Sequence, residues 1–274
     1  MTADLHVHTN VSDGAYMPEK IVALAVQQGL KTIAITDHDT VKGIGRALRA
    51  GMKLDLTVIP GIEFSTELGE QEIHILGYHI RYWEIELQQT LRKLKRERSL
   101  RIWKMYQQIK KLGLEVTWQE IADNVGHGTL GRPHLARALV KRGYVDSIEE
   151  AFAIYLGRGC PAYIPRPKLT PKSGIRLIRQ SGGVPVLAHP GHNLGFFTEP
   201  LIKKLVHLGL AGIEVFYPTH DKATTLRLFR LAKKNNLCIT GGSDYHGPDV
   251  KGAVLGSSVV TQEQAEELKK RINW

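Results

Sequence analysis

Two imidazoles stand at alternate positions in Asp4-Leu5-His6-Val7-His8, on what reads as a short apolar strand. Successive side chains of a strand point to opposite faces, so His6 and His8 leave its end on the same side. Asp13 follows in the loop Val11-Ser12-Asp13-Gly14. One His-x-His pair says little, but the pattern of a His, Asp or Glu just beyond an apolar, β-branched run returns five times. It recurs in Thr36-Asp37-His38-Asp39, Pro60-Gly61-Ile62-Glu63, Glu72-Ile73-His74-Ile75, Leu187-Ala188-His189-Pro190 and Gly242-Ser243-Asp244-Tyr245-His246.

Six histidines and three carboxylates result: His6, His8, His38, His74, His189 and His246 with Asp13, Glu63 and Asp244. Two or three divalent ions need such a donor set. Imidazole suits Zn, Mn and Fe, and a carboxylate such as Glu63 can bridge two ions roughly 3.5–4 Å apart. Such a centre lowers the pKa of a bound water and neutralises charge on a phosphoryl oxygen during in-line displacement. No motif contains cysteine, which argues against a structural zinc site. Any one of these histidines, taken singly, is better read as structural; the argument rests on nine ligand-type residues at strand ends.

The elements that must position them alternate. Strands are expected at Leu5–Val7, Thr32–Thr36, Leu56–Ile59, Ile73–Ile80, Val184–Ala188, Gly212–Phe216, Leu237–Thr240 and Ala253–Val260. Helices are expected at Pro18–Gln28, Val41–Ala50, Glu199–Leu208 and Lys222–Asn235, with another opening at the capping box that starts at Thr261. Short strands separated by ten-residue helices are the mark of parallel βα units. About seven such units, each delivering ligands at a strand's C-terminal end, favour a barrel, since a barrel converges its strand ends on one face.

From about Trp83 to Pro165 the alternation stops. A long amphipathic helix comes first, apolar at Leu87, Leu91, Leu94, Ile102, Met105, Ile109 and Leu112. Capping boxes at Thr117-Trp118-Gln119-Glu120 and Ser147-Ile148-Glu149-Glu150, and the segment Arg132-Pro133-His134, open further helices. The expected fold class is therefore α/β, a distorted (β/α)7 barrel with an all-helical insertion. Residues 1–82 and 166–274 form the barrel and 83–165 the insertion.

The chain of 274 residues, 42% hydrophobic, is long enough for one large core or two smaller ones. No apolar run approaches the ~20 residues of a membrane span. With the first candidate ligand at His6, no removable leader fits, and a cytoplasmic location is expected. Cys160 and Cys238 read as reduced structural thiols. The net charge of +10 is local: Arg92 to Lys111 holds nine Lys or Arg and one acid, Glu97. A solvated helix face explains such a run; an anionic partner, a phosphorylated substrate or nucleic-acid end, is the alternative.

In order and content, His6-x-His8, the Ser-Asp-Gly loop, Thr36-Asp37-His38-Asp39-Thr40, Gly61-Ile62-Glu63, Ala188-His189-Pro190 and Gly242-Ser243-Asp244-Tyr245-His246 resemble the motifs of the PHP (polymerase and histidinol phosphatase) phosphoesterase family. The resemblance spans nearly the whole chain. It implies a distorted seven-stranded β/α barrel and a trinuclear site. One metal would be held by His6, His8, Glu63 and Asp244; a second would share Glu63 and add His74 and His189; the third would take Asp13, His38 and His246. Asp13, Glu63 and Asp244 are then the catalytic carboxylates.

Within the family the chain is most similar to the stand-alone branch with a helical insertion, which resembles nucleoside 3′,5′-bisphosphate phosphatases and 5′-to-3′ exoribonucleases. Gly131-Arg132-Pro133-His134 and Tyr155-Leu156-Gly157-Arg158-Gly159 fit that branch. Arg132 and His134 become candidates for gripping substrate phosphate, Arg132 more so because its guanidinium binds phosphate bidentately. His220, in the loop after a barrel strand, is a third. At Gly191-His192-Asn193 the chain departs from the family pattern, leaving the role of His192 open; His79, His127 and His207 read as structural or surface.

The expected partner is a phosphorylated nucleotide or short nucleic acid, with no membrane and no obligate protein partner. Two other functions compete. Histidinol phosphate hydrolysis is disfavoured because a small zwitterion needs no basic surface. A nucleic-acid-binding or proofreading accessory module is disfavoured because it has no physical need of nine converging ligands.

Overall fold

The computed structural model describes residues 2–69, 71–123, 130–165, 168–193, 199–248 and 254–272. It divides into two compact units, one formed by Met1–Gln89 and Lys168–Trp274, the other by Thr90–Pro167.

The first unit is built on eight strands: β1 (Thr2–Val7), β2 (Thr32–Ile35), β3 (Thr57–Leu68), β4 (Gln71–Tyr78), β5 (Val184–Leu187), β6 (Gly212–Phe216), β7 (Cys238–Gly241) and β8 (Val260–Thr261). They form one sheet in the order β7-β6-β5-β4-β3-β2-β1-β8. Beyond β7 the chain returns to β1. Tyr245 bridges Val7 in parallel, Asp244 N–H donates to the His6 carbonyl at 2.9 Å, and His8 N–H donates to the Tyr245 carbonyl at 3.0 Å. The sheet is thereby a nearly closed barrel, as the alternation of elements implied.

Strands β1 to β3 and β5 to β7 pair in parallel, and β4 runs antiparallel to both neighbours. The β3–β4 connection is thus a hairpin, turned at Gly69 with φ +62°, a conformation that glycine adopts without strain. The expected strand Ala253–Val260 is not formed over its described residues, apart from Val260. Ser257 N–H closes a turn on the Val254 carbonyl, Gly256 sits at φ +79°, and only Val260–Thr261 pairs, antiparallel to β1. Turn chemistry at Gly256-Ser257-Ser258 overrides the apolar pattern. The helix expected from Val41 begins at Ile44, since Gly43 supplies its N-cap.

Strands β2, β5 and β7 are buried along their length, which is why they read as continuous apolar runs. Their side chains make one core with Leu5, Leu76, Tyr78, Val186 and Leu268, and a second with Val7, Ile21, Ile33, Ile35 and Val58.

The second unit is helical in its described residues and has its own core of Ile102, Met105, Ile109, Leu135, Leu139 and Leu156. Most of the long helix Ile85–Lys111 lies in it, burying an apolar stripe and exposing Arg92, Lys93, Arg96, Trp103, Lys104, Lys110 and Lys111. Among the described residues no helix is long and apolar enough to cross a membrane.

Candidate metal centre

All nine candidate ligands lie at one end of the barrel. His6, His8, Glu63 and Asp244 form one group; His8, Asp13, His38 and His246 a second; His38, Glu63 and His74 a third. Glu63 is the hub. Its Oε2 lies 3.3 Å from His6 Nε2, 3.2 Å from His8 Nε2 and 3.0 Å from His38 Nδ1. Its Oε1 lies 2.8 Å from His74 Nδ1 and 3.0 Å from His189 Nε2. Asp244 Oδ1 stands 3.2 Å from His6 Nε2 and 3.0 Å from His8 Nε2. Asp13 is more open, 3.4 Å from His246 and 3.7–3.8 Å from His8 and His38.

Several of these atoms pair with one another, and four do not. Glu63 Oε2, Asp244 Oδ1, His8 Nδ1 and His38 Nδ1 are buried, close to complementary atoms, and make no hydrogen bond. His6 Nε2 and His8 Nε2 face each other at 3.1 Å. Buried lone pairs without partners cost free energy, and a cation among them removes that cost. The donor set of imidazole and carboxylate, with no thiolate, suits Mn, Fe or Zn. The residues therefore fit a divalent metal centre.

The PHP domain model matches residues 4–124. The 5′-3′ exoribonuclease Rnm of Salmonella typhimurium is 35% identical over 89% of this chain and 85% of its own length. The chain belongs to the PHP domain family. The 3′,5′-nucleoside bisphosphate phosphatase of Chromobacterium violaceum is 29% identical over 92% of this chain and 90% of its own. A solved structure from Bifidobacterium adolescentis, assigned as a metal-dependent phosphoesterase, superposes with a TM-score of 0.85 at 28% identity, covering 98% of this chain and 96% of that one. The chain is accordingly a hydrolase of the PHP phosphoesterases, with the family's barrel.

The PHP ligand pattern and the geometry group two histidines differently. His38 joins a group with Glu63 and His74 as well as the Asp13 group, and His189 shares the Glu63 Oε1 oxygen with His74. His8 joins the Asp13 group as well as the Asp244 group.

Three buried carboxylates that the sequence did not single out hold the ligands in place. Glu214, in β6, accepts from His6 Nδ1 at 3.1 Å and from His189 N–H at 2.7 Å. The proton on His6 Nδ1 leaves the Nε2 lone pair facing the centre. Asp37 accepts from Thr9 N–H, Thr9 Oγ1 and Ser12 Oγ at 2.7–2.8 Å, tying the Asp13 loop to β2. Asp4 accepts from Ser243 N–H and Gly256 N–H at 2.9 Å. Their one sequence signal is a charge inside an apolar strand or at its end. Tyr217 Oη donates to Asp244 Oδ2 at 2.9 Å, leaving Oδ1 to face the histidines.

Two of the candidate ligands carry backbone strain. His189 at φ +26° and Asp244 at φ +52° adopt conformations that L-residues rarely hold unless surrounding structure enforces them. Gly242 permits the close approach of the chain after β7 to β1, since a Cβ there would come within 2.4 Å of His6 N.

Electrostatics in the metal-free centre follow from burial and opposite charge. Burial opposes charging of His8, yet Asp244 and Glu63 raise its pKa to about 10. Burial likewise opposes charging of His74, and Glu63 and Glu72 raise it to about 10. Burial depresses His38 to about 4. Burial acts to raise Glu63 and Asp244, but the surrounding imidazoles hold both far below the usual carboxylate range.

The expected phosphate-gripping residues are placed differently. Both ring nitrogens of His220 are engaged: Nε2 accepts from Gly191 N–H at 3.0 Å and Nδ1 donates to the Val215 carbonyl at 2.9 Å. His220 thus ties the loop after β6 to the segment after His189. Arg132 and His134 begin a helix of the helical unit, Arg132–Lys141. The Arg132 guanidinium lies 5.0 Å over the Phe152 ring and donates to the Leu156 carbonyl, and His134 Nδ1 accepts from Gly131 N–H at 3.0 Å. His134 is therefore a helix cap as well as a substrate candidate. The side chain of His192, and His127, lie outside the described residues.

Proposed function

We propose that the chain removes a terminal phosphate from nucleotides, acting on nucleoside 3′,5′-bisphosphates and 5′-phosphorylated short oligonucleotides. The observation that carries the reading is Glu63, a fully buried carboxylate contacted by five imidazoles, three on one oxygen and two on the other. Such an arrangement suits a carboxylate that would hold two divalent ions, Mn, Fe or Zn, within a centre of two or three. Ions bound there supply an activated water and charge neutralisation at the phosphoryl oxygens.

The chain's own groups do the remaining work. Glu214 holds His6 in the tautomer that presents Nε2, and Tyr217 fixes the rotamer of Asp244. Asp13, half-exposed, is the ligand nearest solvent and marks the side from which a phosphate enters. Arg132, with His134 beside it, is assigned to the second phosphate of a bisphosphate or the next phosphate of an oligonucleotide, because a planar guanidinium matches phosphate in two hydrogen bonds. The exposed basic face of Ile85–Lys111 supplies attraction for a longer anionic chain. A cytoplasmic location fits substrates of this kind.

Phosphate release from adenosine 3′,5′-bisphosphate, a 5′-phosphorylated oligonucleotide and histidinol phosphate, each with Mn²⁺, tests the proposal. Turnover of the first two well above the third is expected. Preference for histidinol phosphate overturns the nucleotide assignment.

A further inference from the structure

Beyond the nine candidate ligands, one more acid stands at the rim of the centre. On β4, Glu72 and His74 are two residues apart and so share a face of the strand. Glu72 Oε1 lies 3.0 Å from His74 Nε2, and the other ring nitrogen, Nδ1, faces Glu63 Oε1 at 2.8 Å. The second oxygen of Glu72 lies 2.6 Å from Lys168 Nζ. Lys168 is the residue at which the chain re-enters the barrel unit. Its neighbour Leu169 is pinned to β3 by a parallel bridge to Thr66 and by a 2.8 Å hydrogen bond from Glu67 N–H. Lys168, Glu72, His74 and Glu63 thus form one continuous line of contacts from the returning chain to the hub of the centre.

The chemistry of the line sets its direction. A carboxylate only accepts, so Glu72 keeps the proton on His74 Nε2 and leaves Nδ1 as the nitrogen available to a metal. Glu72 is about half-exposed, with a side chain 47% accessible, and on its own would sample several rotamers. Lys168, 15% accessible, holds it in one, and the backbone of Leu169 fixes where Lys168 stands. We infer that Glu72 and Lys168 are a positioning pair, which fixes the tautomer and ring orientation of His74 and thereby the affinity of one metal position, that of His38, Glu63 and His74.

This inference rests on the reading of the cluster as a metal centre, and the test separates the two. Zn²⁺ is titrated against a competing chelator into the parent, Glu72→Ala, Glu72→Gln and Lys168→Met, with kcat and KM for phosphate release measured alongside. Glu72→Ala is expected to weaken one equivalent of Zn²⁺ about 10–100-fold, the range for partners behind a ligand. The remaining equivalents should bind as in the parent. Glu72→Gln still accepts from Nε2–H but loses the ion pair, and should fall between Glu72→Ala and the parent. Lys168→Met should weaken the same equivalent by less. In each variant kcat should drop more than KM rises. Nitrogen-15 spectra of the Zn²⁺-loaded protein should show His74 protonated at Nε2 in the parent and altered in Glu72→Ala. If Glu72→Ala binds every equivalent as tightly as the parent, with the His74 spectrum unchanged, the positioning role is overturned while the metal reading stands. A parent that takes up no Zn²⁺ overturns both.

Discussion

In the barrel unit one set of ionisable side chains faces inward: His6, His8, Glu63 and Glu214 are fully buried, and the strands carrying them are largely apolar. The helical unit is arranged the other way, with an apolar core and Arg92, Lys93, Arg96, Lys104, Lys110 and Lys111 in water. A charge in water contributes little to structure and is screened beyond about 8–10 Å at ordinary salt. A buried imidazole or carboxylate is costly unless it is paired. The barrel's charges therefore need a fixed occupant, while those of the helical unit suit reversible contact with a mobile anion.

Removing the hub should have the largest effect. Glu63→Ala is expected to lower activity by more than 100-fold and to reduce bound metal in the same sample, read by elemental analysis. Full metal content with near-parent turnover would erase the distinction between the two regions. Next comes Glu214→Gln, which touches no candidate metal position but holds His6 and His189; metal affinity should fall about 10–100-fold. A variant within twofold of the parent would make Glu214 a core residue only.

Arg132→Ala sharpens the contrast from the other side. It should raise KM for a nucleoside bisphosphate about tenfold or more, the worth of a charge-assisted phosphate contact, with metal content intact. Hydrolysis of p-nitrophenyl phosphate, which has no second phosphate, should suffer less. Equal losses on both substrates would remove Arg132 from substrate recognition.

Acidity separates the metal-free and loaded forms. In chelated protein, His8 and His74 have pKa values raised from 6.5 to about 10. Their contribution to stability is fully present below pH 6.5 and is lost as pH rises through about 10. The denaturation midpoint of chelated protein should thus fall between pH 7 and pH 10. Metal binding displaces those protons, so loaded protein should be spared that fall. A chelated protein as stable at pH 10 as at pH 7 contradicts the assignment of these two histidines to the carboxylate cluster.

The smallest effect belongs to the basic helix. Replacing Lys95, Arg98 and Arg101 with Glu should depress turnover of a 5′-phosphorylated oligonucleotide more than that of a mononucleotide. The parent's log affinity for the oligonucleotide should fall linearly with log salt, by about 0.7 per phosphate contact. Arg101, buried against the Tyr163 ring and donating to the Ile164 carbonyl, carries a structural load. The double variant of Lys95 and Arg98 is the cleaner one. Unchanged oligonucleotide turnover would make the helix a solvated face.

The candidate ligands other than Asp13 were legible because they stand in or just after a buried apolar run, so the strand pattern and the proposed chemistry share one signal. The long helix Ile85–Lys111 was legible from the spacing of Ile102, Met105 and Ile109, which recur at helical intervals. The reversal of β4 was not. Ile73 and Ile75 alternate with polar residues whichever way the strand runs, and only the hairpin at Gly69 decides. Glu214 was hidden because a carboxylate in the middle of a buried strand leaves no repeated motif; its meaning appears once His6 and His189 are beside it. His220 was ambiguous for a related reason, since a loop histidine after a barrel strand reads the same whether its nitrogens serve a ligand or, as here, meet backbone groups.

Diffraction from crystals grown with Mn²⁺, recorded at the manganese absorption edge, tests the central claim most directly. Anomalous peaks are expected among His6, His8, Asp13, His38, Glu63, His74, His189, Asp244 and His246, with at least two of them in reach of the Glu63 carboxylate. An anomalous map with no peak at Glu63 would contradict the account.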